Sequence, residues 1–179
     1  MFKSHLTRTQ EAPVAKKYKV YTDGSILNNG QPGAISSSVA LIENAGREQR
    51  FIASYNQTQA TSNRAEMIAA IIALQYIKWE AEFTIYSDSE YLVKGFNEKL
   101  DVWVKNGWRI KCGSPVSNPD LWKELSEMKK FHKVQMVWVK GHAGNEKNEV
   151  VDTLARKILH YPDQYINSSE YLGKKLIIR

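Results

Sequence analysis

Cysteine occurs once in this chain, at Cys112, so neither an intrachain disulfide nor a thiolate cluster for zinc or iron-sulfur chemistry is available. A reducing, intracellular setting fits that scarcity. Long apolar runs are also missing: the longest is Met67 to Leu74, far short of the ~20 residues that span a bilayer. Lys3, Arg8, Lys16 and Lys17 near the N-terminus flank no apolar signal core, and Glu11 and brevity argue against a transit peptide. Internal repeats and low-complexity segments are absent. Acids are the minority charge, 19 against 25 Lys plus Arg, for a net charge of +6, which favours a polyanionic partner. With 179 residues, 42% of them hydrophobic, the chain suffices for one core but not comfortably for two. These features predict a soluble, cytoplasmic monomer with one globular unit and no small-molecule cofactor.

What is present divides into recognisable periods. Tyr18 to Thr22 reads as a strand ending at the turn signal Asp23-Gly24, followed by a loop containing Asn28, Asn29, Gly30, Pro32 and Gly33. Val39 to Ile42 and Arg50 to Tyr55 read as two more strands around Asn44-Ala45-Gly46, making an antiparallel meander. From Asn63 to Trp79 the pattern is helical and largely apolar, which predicts a buried central helix. Phe83 to Ser87 is a strand ending at Asp88. Helix follows from Ser89 to about Glu98, and again from Leu121 to Phe131. Val134 to Val139 is the last clear strand. A glycine-flanked loop, Gly141-His142-Ala143-Gly144, leads to a closing helix from about Glu146 that stops at Pro162. The segment 99 to 117 has no clear period and interleaves aromatic with basic residues. In the tail, Leu176-Ile177-Ile178 suits docking either on the domain or on a partner.

Three strands followed by helix, strand, helices, strand and helix predict an α/β fold with a five-stranded mixed sheet and flanking helices, its later strands joined by right-handed crossovers. Ligands of such sheets bind beyond the carboxyl ends of parallel strands, where Asp23 and Asp88 both fall on this reading. Glu66 interrupts an apolar helix face between Ala65 and Met67, a place better explained by a metal or charge partner than by solubility. Asp152 lies beside Val150 and Val151 near the start of the closing helix. Clustered carboxylates repel unless a divalent cation neutralises them, and an oxygen-only donor set suits magnesium or manganese. Each acid also has a plainer reading. Asp23 could serve the turn, Asp88 a helix cap, Glu66 an ion pair with Arg64, and Asp152 one with Arg156. His142 could be an ordinary exposed histidine, and Trp103 and Trp108 core residues.

Taken together, Tyr21-Thr22-Asp23-Gly24-Ser25, Thr61-Ser62-Asn63-Arg64-Ala65-Glu66, Tyr86-Ser87-Asp88-Ser89-Glu90-Tyr91, Trp138-Val139-Lys140-Gly141-His142-Ala143-Gly144 and Asn148-Glu149-Val150-Val151-Asp152 resemble type 1 ribonuclease H. The resemblance recurs at five separated places between about residues 18 and 160. It implies a ribonuclease H-like fold over 18–160, between a basic N-terminal tail, 1–17, and a C-terminal tail, 161–179. It further implies that Asp23, Glu66, Asp88 and Asp152 bind two Mg2+ ions, with Mn2+ as a possible substitute, and that His142 assists proton transfer or product release. Trp103, Lys105 and Trp108 fall in what looks like the family's basic protrusion, which grips a DNA strand. Asn29, Thr61, Ser62 and Asn63, with Gly24 and Ser25, resemble positions that contact the backbone and 2'-hydroxyls of an RNA/DNA hybrid. Val104 stands where the family more often has a lysine, and Ser62 where an asparagine is common.

The activity so implied is endonucleolytic hydrolysis of the RNA strand of a hybrid, leaving 5'-phosphate and 3'-hydroxyl ends and largely indifferent to sequence, because backbone contacts read no bases. The rival readings are a resolvase-like nuclease on the same fold, a non-catalytic hybrid-binding module, and a polymerase-associated domain released from a polyprotein.

Overall fold

A computed structural model of the chain describes residues 15–141, 144–165 and, as backbone, 176–178. Strands β1 (Lys16–Leu27), β2 (Ile35–Asn44) and β3 (Gln49–Asn56) form the expected meander. Helix α1 (Ser62–Tyr76) then crosses to β4 (Ala81–Ser87), which pairs in parallel with β1. Helical chain follows as α2 (Glu90–Lys94), a π-helical turn (Gly95–Lys99) and α3 (Leu100–Lys105). Helix α4 (Pro119–Phe131) leads to β5 (Lys133–Trp138), parallel to β4, and α5 (Glu146–His160) covers the other face of the sheet. Pro162 does not simply terminate the helical region; it opens a short helix, α6 (Pro162–Tyr165), as its fixed φ allows at a first turn.

The five expected strands make a mixed sheet. Backbone pairing of β6 (Leu176–Ile178) with the outer edge of β3 adds a short sixth strand, giving the order β5-β4-β1-β2-β3-β6. Of the two uses open to Leu176-Ile177-Ile178, docking on the domain is therefore the one observed. The sheet separates two apolar clusters. Val20, Phe83 and Ile85 pack against α1 and α4 on one side, while Val39, Leu41 and Ala53 pack against Val151, Ala155 and Ile158 of α5 on the other.

One strand boundary differs from the sequence reading in a way that matters for function. Asp23-Gly24 is not a turn: β1 runs on to Leu27, with Asp23 opposite Val39 and Gly24 opposite Ser38 in β2. The pairing of β1 with β4 ends earlier, at Tyr21–Tyr86, so Asp23 sits just where β1 leaves its parallel neighbour. The reversal comes at Asn28 and Gly30, both with positive φ. Gly24 is required for packing instead: a Cβ there would lie 2.6 Å from the backbone carbon of Ala65 and 2.7 Å from the nitrogen of Glu66. The glycine lets the start of α1 rest directly on β1. Thr61 caps that helix, its hydroxyl accepting from the Arg64 N–H at 3.2 Å.

Residues 99 to 117 resist periodic reading because their helical part changes pitch. The π-helical turn contains Gly95, whose added Cβ would meet the Trp122 ring at 2.4 Å, and Trp122 is fully buried. Trp103 lies against the same ring, with centroids 5.1 Å apart. Asn118, in the left-handed conformation, ends the excursion before Pro119 starts α4.

Candidate active site

Three of the four acids converge at the end of the sheet where β1 and β4 part. Oxygens of Asp23, Glu66 and Asp88 all lie within 4.8 Å of one another, a spacing that one metal ion could bridge. Asp23 comes from β1, in a buried position. Glu66 comes from the second turn of α1, held by a hydrogen bond of 3.1 Å from the Gly24 N–H to its Oε1. Its other oxygen, Oε2, is sealed from solvent and has no hydrogen-bond partner among the described residues. A buried carboxylate oxygen without a donor is costly, and a cation is the natural remedy.

Asp88 follows the last residue of β4 and is fixed from several directions. Ser89 caps α2 through its hydroxyl, the Ser89 N–H donates to the Ser87 hydroxyl at 3.2 Å, and the Trp138 indole N–H donates to the Asp88 carbonyl at 3.0 Å. Gly141 closes in so tightly that a Cβ there would lie 2.6 Å from Asp88 Oδ2. Both Trp138 and Gly141 belong to a quoted sequence segment, but their part in shaping the site was not legible there. An indole-to-carbonyl bond leaves no periodic trace.

Electrostatics follow from the crowding. Burial, then the charges of Asp88 and Asp152, push the Asp23 carboxyl up to about 8, partly offset by Arg156 and the Gly24 N–H. Glu66 is raised well above the carboxylate range by burial first and by Asp23 and Asp88 next. Without a cation this cluster holds protons at neutral pH. The charges that destabilise it are those a divalent metal would neutralise, so the donor set fits a hard cation.

The plainer alternatives now separate. Arg64 does not pair with Glu66; its guanidinium reaches Asp120 with two hydrogen bonds, at 2.9 and 2.6 Å. Asp152, by contrast, does accept from Arg156 one turn along α5, and it is not among the three acids within 4.8 Å of each other. It is nonetheless near enough for its charge to raise both Asp23 and Glu66. His142 and Ala143 lie outside the described residues.

The residues read as substrate contacts form two groups. Asn29 donates to the Ser62 hydroxyl at 3.2 Å, linking the glycine loop to the exposed start of α1 that carries Thr61 and Asn63. Ser25 is half-buried and paired with Ser37. Trp103 and Trp108 are half-buried and pack against the main core, as their plainer reading had it. Lys105 is exposed at the end of α3. That segment is tied to α4, through the Trp103–Trp122 contact and a 2.9 Å ion pair from Lys129 to Asp101.

A mixed α/β sheet that gathers carboxylates from β1, α1 and the end of β4 defines a class of acid-cluster hydrolases on the ribonuclease H-like fold. Comparison with known proteins agrees: the RNase H family model matches residues 15–160. The ribonuclease H of Salmonella paratyphi C is 40% identical over 149 residues, covering 83% of this chain and 93% of its own. The ribonuclease H of Salmonella arizonae gives the same figures. Among solved structures, LC9-RNase H1, described as a type 1 RNase H with the type 2 active-site motif, superimposes with a TM-score of 0.73 at 25% identity, covering 89% of this chain and 85% of that one. A foamy viral protease-reverse transcriptase shares the fold alone, at 23% identity and a TM-score of 0.63, covering 78% and 92%. The chain belongs to the RNase H family, and its enzymatic class is that of a ribonuclease H.

Proposed function

We propose that the protein hydrolyses the RNA strand of RNA/DNA hybrids in a reaction that depends on Mg2+, with Mn2+ able to substitute. Asp23, Glu66, Asp88 and Asp152 would hold the metal. The observation that carries this reading is the sealed, unpartnered Oε2 of Glu66 inside a cluster of three carboxylates. Two divalent ions held by these acids would supply charge neutralisation and Lewis-acid activation, the chemistry expected to leave 5'-phosphate and 3'-hydroxyl ends. The protein's own groups do the rest. The Gly24 N–H orients Glu66, and Trp138 and Gly141 fix Asp88 so that little rearrangement is needed on loading. His142, from the glycine-flanked sequence Gly141-His142-Ala143-Gly144, would carry protons to or from the reacting oxygens.

Substrate choice rests on groups outside the acids. Asn29, Thr61, Ser62 and Asn63, with Gly24 and Ser25, would contact the ribose 2'-hydroxyls and phosphates of the RNA strand; the Asn29–Ser62 hydrogen bond and the exposure of the start of α1 support this. Lys105, presented on a frame that includes Trp103 and Trp108, suits the phosphates of the DNA strand. None of these contacts reads bases, so cutting is largely independent of sequence. The protein works as a monomer in the cytoplasm; among the described residues no helix is long and apolar enough to cross a membrane.

The test is incubation of labelled RNA/DNA hybrid, duplex RNA and duplex DNA with the protein, in Mg2+ or in chelator. Cutting confined to the RNA of the hybrid, and only with metal, is the expected result. An uncut hybrid in Mg2+ would overturn the reading, and preferential cutting of DNA would favour a resolvase-like activity.

A further inference from the structure

Arg156 brings a positive charge to the edge of the acid cluster, and the geometry gives it a specific place. Its Nη2 donates to Asp152 Oδ2 across one turn of α5. The Asp152 side chain is 17% exposed, whereas that of Arg156 is 55% exposed. Helix α5 lies across β1 and β2. Val39, directly opposite Asp23, packs with Val151 and Ala155, and the Ser37 hydroxyl donates to the Ala155 carbonyl at 2.6 Å. Asp152 and Arg156 each follow one of these inward residues by a single position, and both lie near enough to Asp23 for their charges to act on its carboxyl, Asp152 raising it and Arg156 lowering it. Yet Asp152 stays outside the set of oxygens shared by Asp23, Glu66 and Asp88.

We propose that Arg156 is a positioning residue that serves as the site's resident counter-ion, occupying an oxygen of Asp152 in the metal-free protein and yielding it when a divalent cation binds. The inference rests on the metal-site reading above. An i,i+4 pair whose arginine is largely open to solvent is weak, so Asp152 can be released at little cost. The guanidinium remains tethered nearby and repels an incoming dication, so it lowers metal affinity both by occupying the oxygen and by its charge. In return, the fourth acid is kept oriented toward the cluster when no metal is present. A pair that only stabilised α5 would change unfolding and leave metal affinity alone.

Calorimetric titration of Mn2+ and Mg2+, without nucleic acid, separates these cases. Arg156→Gln is expected to bind the ions more tightly than the parent, by about 3-fold to 10-fold. Arg156→Lys, which keeps the charge, stays near the parent value. In an Asp152→Asn background the gain from Arg156→Gln shrinks, because the charge competed for is gone. Should Arg156→Gln lose its helical circular dichroism, Arg156→Met, which keeps the apolar stem, takes its place. Unchanged or weaker affinity in the uncharged variant overturns the counter-ion role while leaving the metal site intact. No binding heat in the parent protein overturns the metal-site reading beneath it.

Discussion

The acid cluster and the excursion from Leu100 to Ser117 are built on opposite principles. Around the cluster, glycine backbone leaves no room for a side chain: Gly24 lies under the main chain of Ala65 and Glu66, and Gly141 lies against the carboxylate of Asp88. Around the excursion, the contacts are between side chains, from a half-buried indole out to exposed charges. Trp103 packs on Trp122, Asp101 pairs with Lys129, and Lys105 and Val104 face solvent, Val104 being 40% exposed. A site of the first kind inherits its precision from the fold and tolerates almost no change. A site of the second kind can gain or lose a charge without disturbing anything beneath it, and Val104 in the place of a lysine is such a change.

The sharpest break of that contrast comes from the cluster. Asp88→Asn keeps the shape of the side chain and removes one anionic donor, so hybrid cleavage in Mg2+ should fall by about 1000-fold or more while hybrid binding persists or improves. Single-turnover cleavage beside a binding measurement checks both halves. Next is Gly24→Ala. Its methyl group would meet backbone at 2.6 to 2.7 Å, so the start of α1 must move, at a cost of about 2–3 kcal/mol in denaturant unfolding. Because Glu66 moves with that turn, cleavage should drop as well. A Gly24→Ala protein as stable as the parent would show the cluster to be less rigidly founded than its contacts indicate.

The same contrast explains what could be read from the amino-acid order. The alternation and helical periods marked the main strands and long helices, and the convergence of Asp23 and Asp88 followed from strand order, while Glu66 joined them through its place on an apolar helix face and the family resemblance. Local chemistry misled at Asp23-Gly24, since a Gly needed for close approach looks the same in sequence as a Gly needed for a turn. The pitch change at Gly95 was hidden for a related reason: its cause is Trp122, far along the chain. Nothing in the sequence could choose between Glu66 and Asp120 as the charge partner of Arg64, or reveal that Trp138 bonds to the Asp88 carbonyl. Those are properties of tertiary neighbours. His142 was singled out by its motif, and its geometry lies outside the described residues.

A smaller effect tests whether the cluster is under electrostatic load. In the metal-free protein, burial and the neighbouring charges of Asp88 and Asp152 push the Asp23 carboxyl up to about 8, from an ordinary 3.8. A raised acid favours the folded state while protonated, so its contribution is present below pH ~4 and is lost as pH climbs through about 8. Glu66, also raised, acts in the same direction. His132, buried and lowered by that burial, acts oppositely, but only below its unfolded value of 6.5. Between pH ~6.5 and ~8 the carboxylates therefore dominate. In chelator, the melting temperature should fall across this window, by up to ~1.4 kcal/mol of stability per pH unit for each fully linked proton. Asp23→Asn should flatten the fall and be the more stable protein at pH ~8; saturating Mg2+ should do the same for the parent. An equally steep fall in Asp23→Asn would place the load elsewhere.

The excursion supplies the smallest expected effect. Lys105 stands exposed at the end of α3, and α3 is held by Trp103 and by the Asp101–Lys129 pair, neither of which involves the lysine. Removing it in Lys105→Ala should leave the melting temperature within about 1 °C, since surface substitutions away from packed features scarcely change stability. If the lysine meets a phosphate, hybrid affinity weakens by a few-fold, and the slope of log K against log salt becomes shallower by about 1. The loss should be seen mainly in KM, because the acids that act on the scissile bond belong to a separately founded region. A Lys105→Ala protein with an unchanged salt slope would remove α3 from the binding surface, and a large loss in kcat would mean that the two regions are coupled after all.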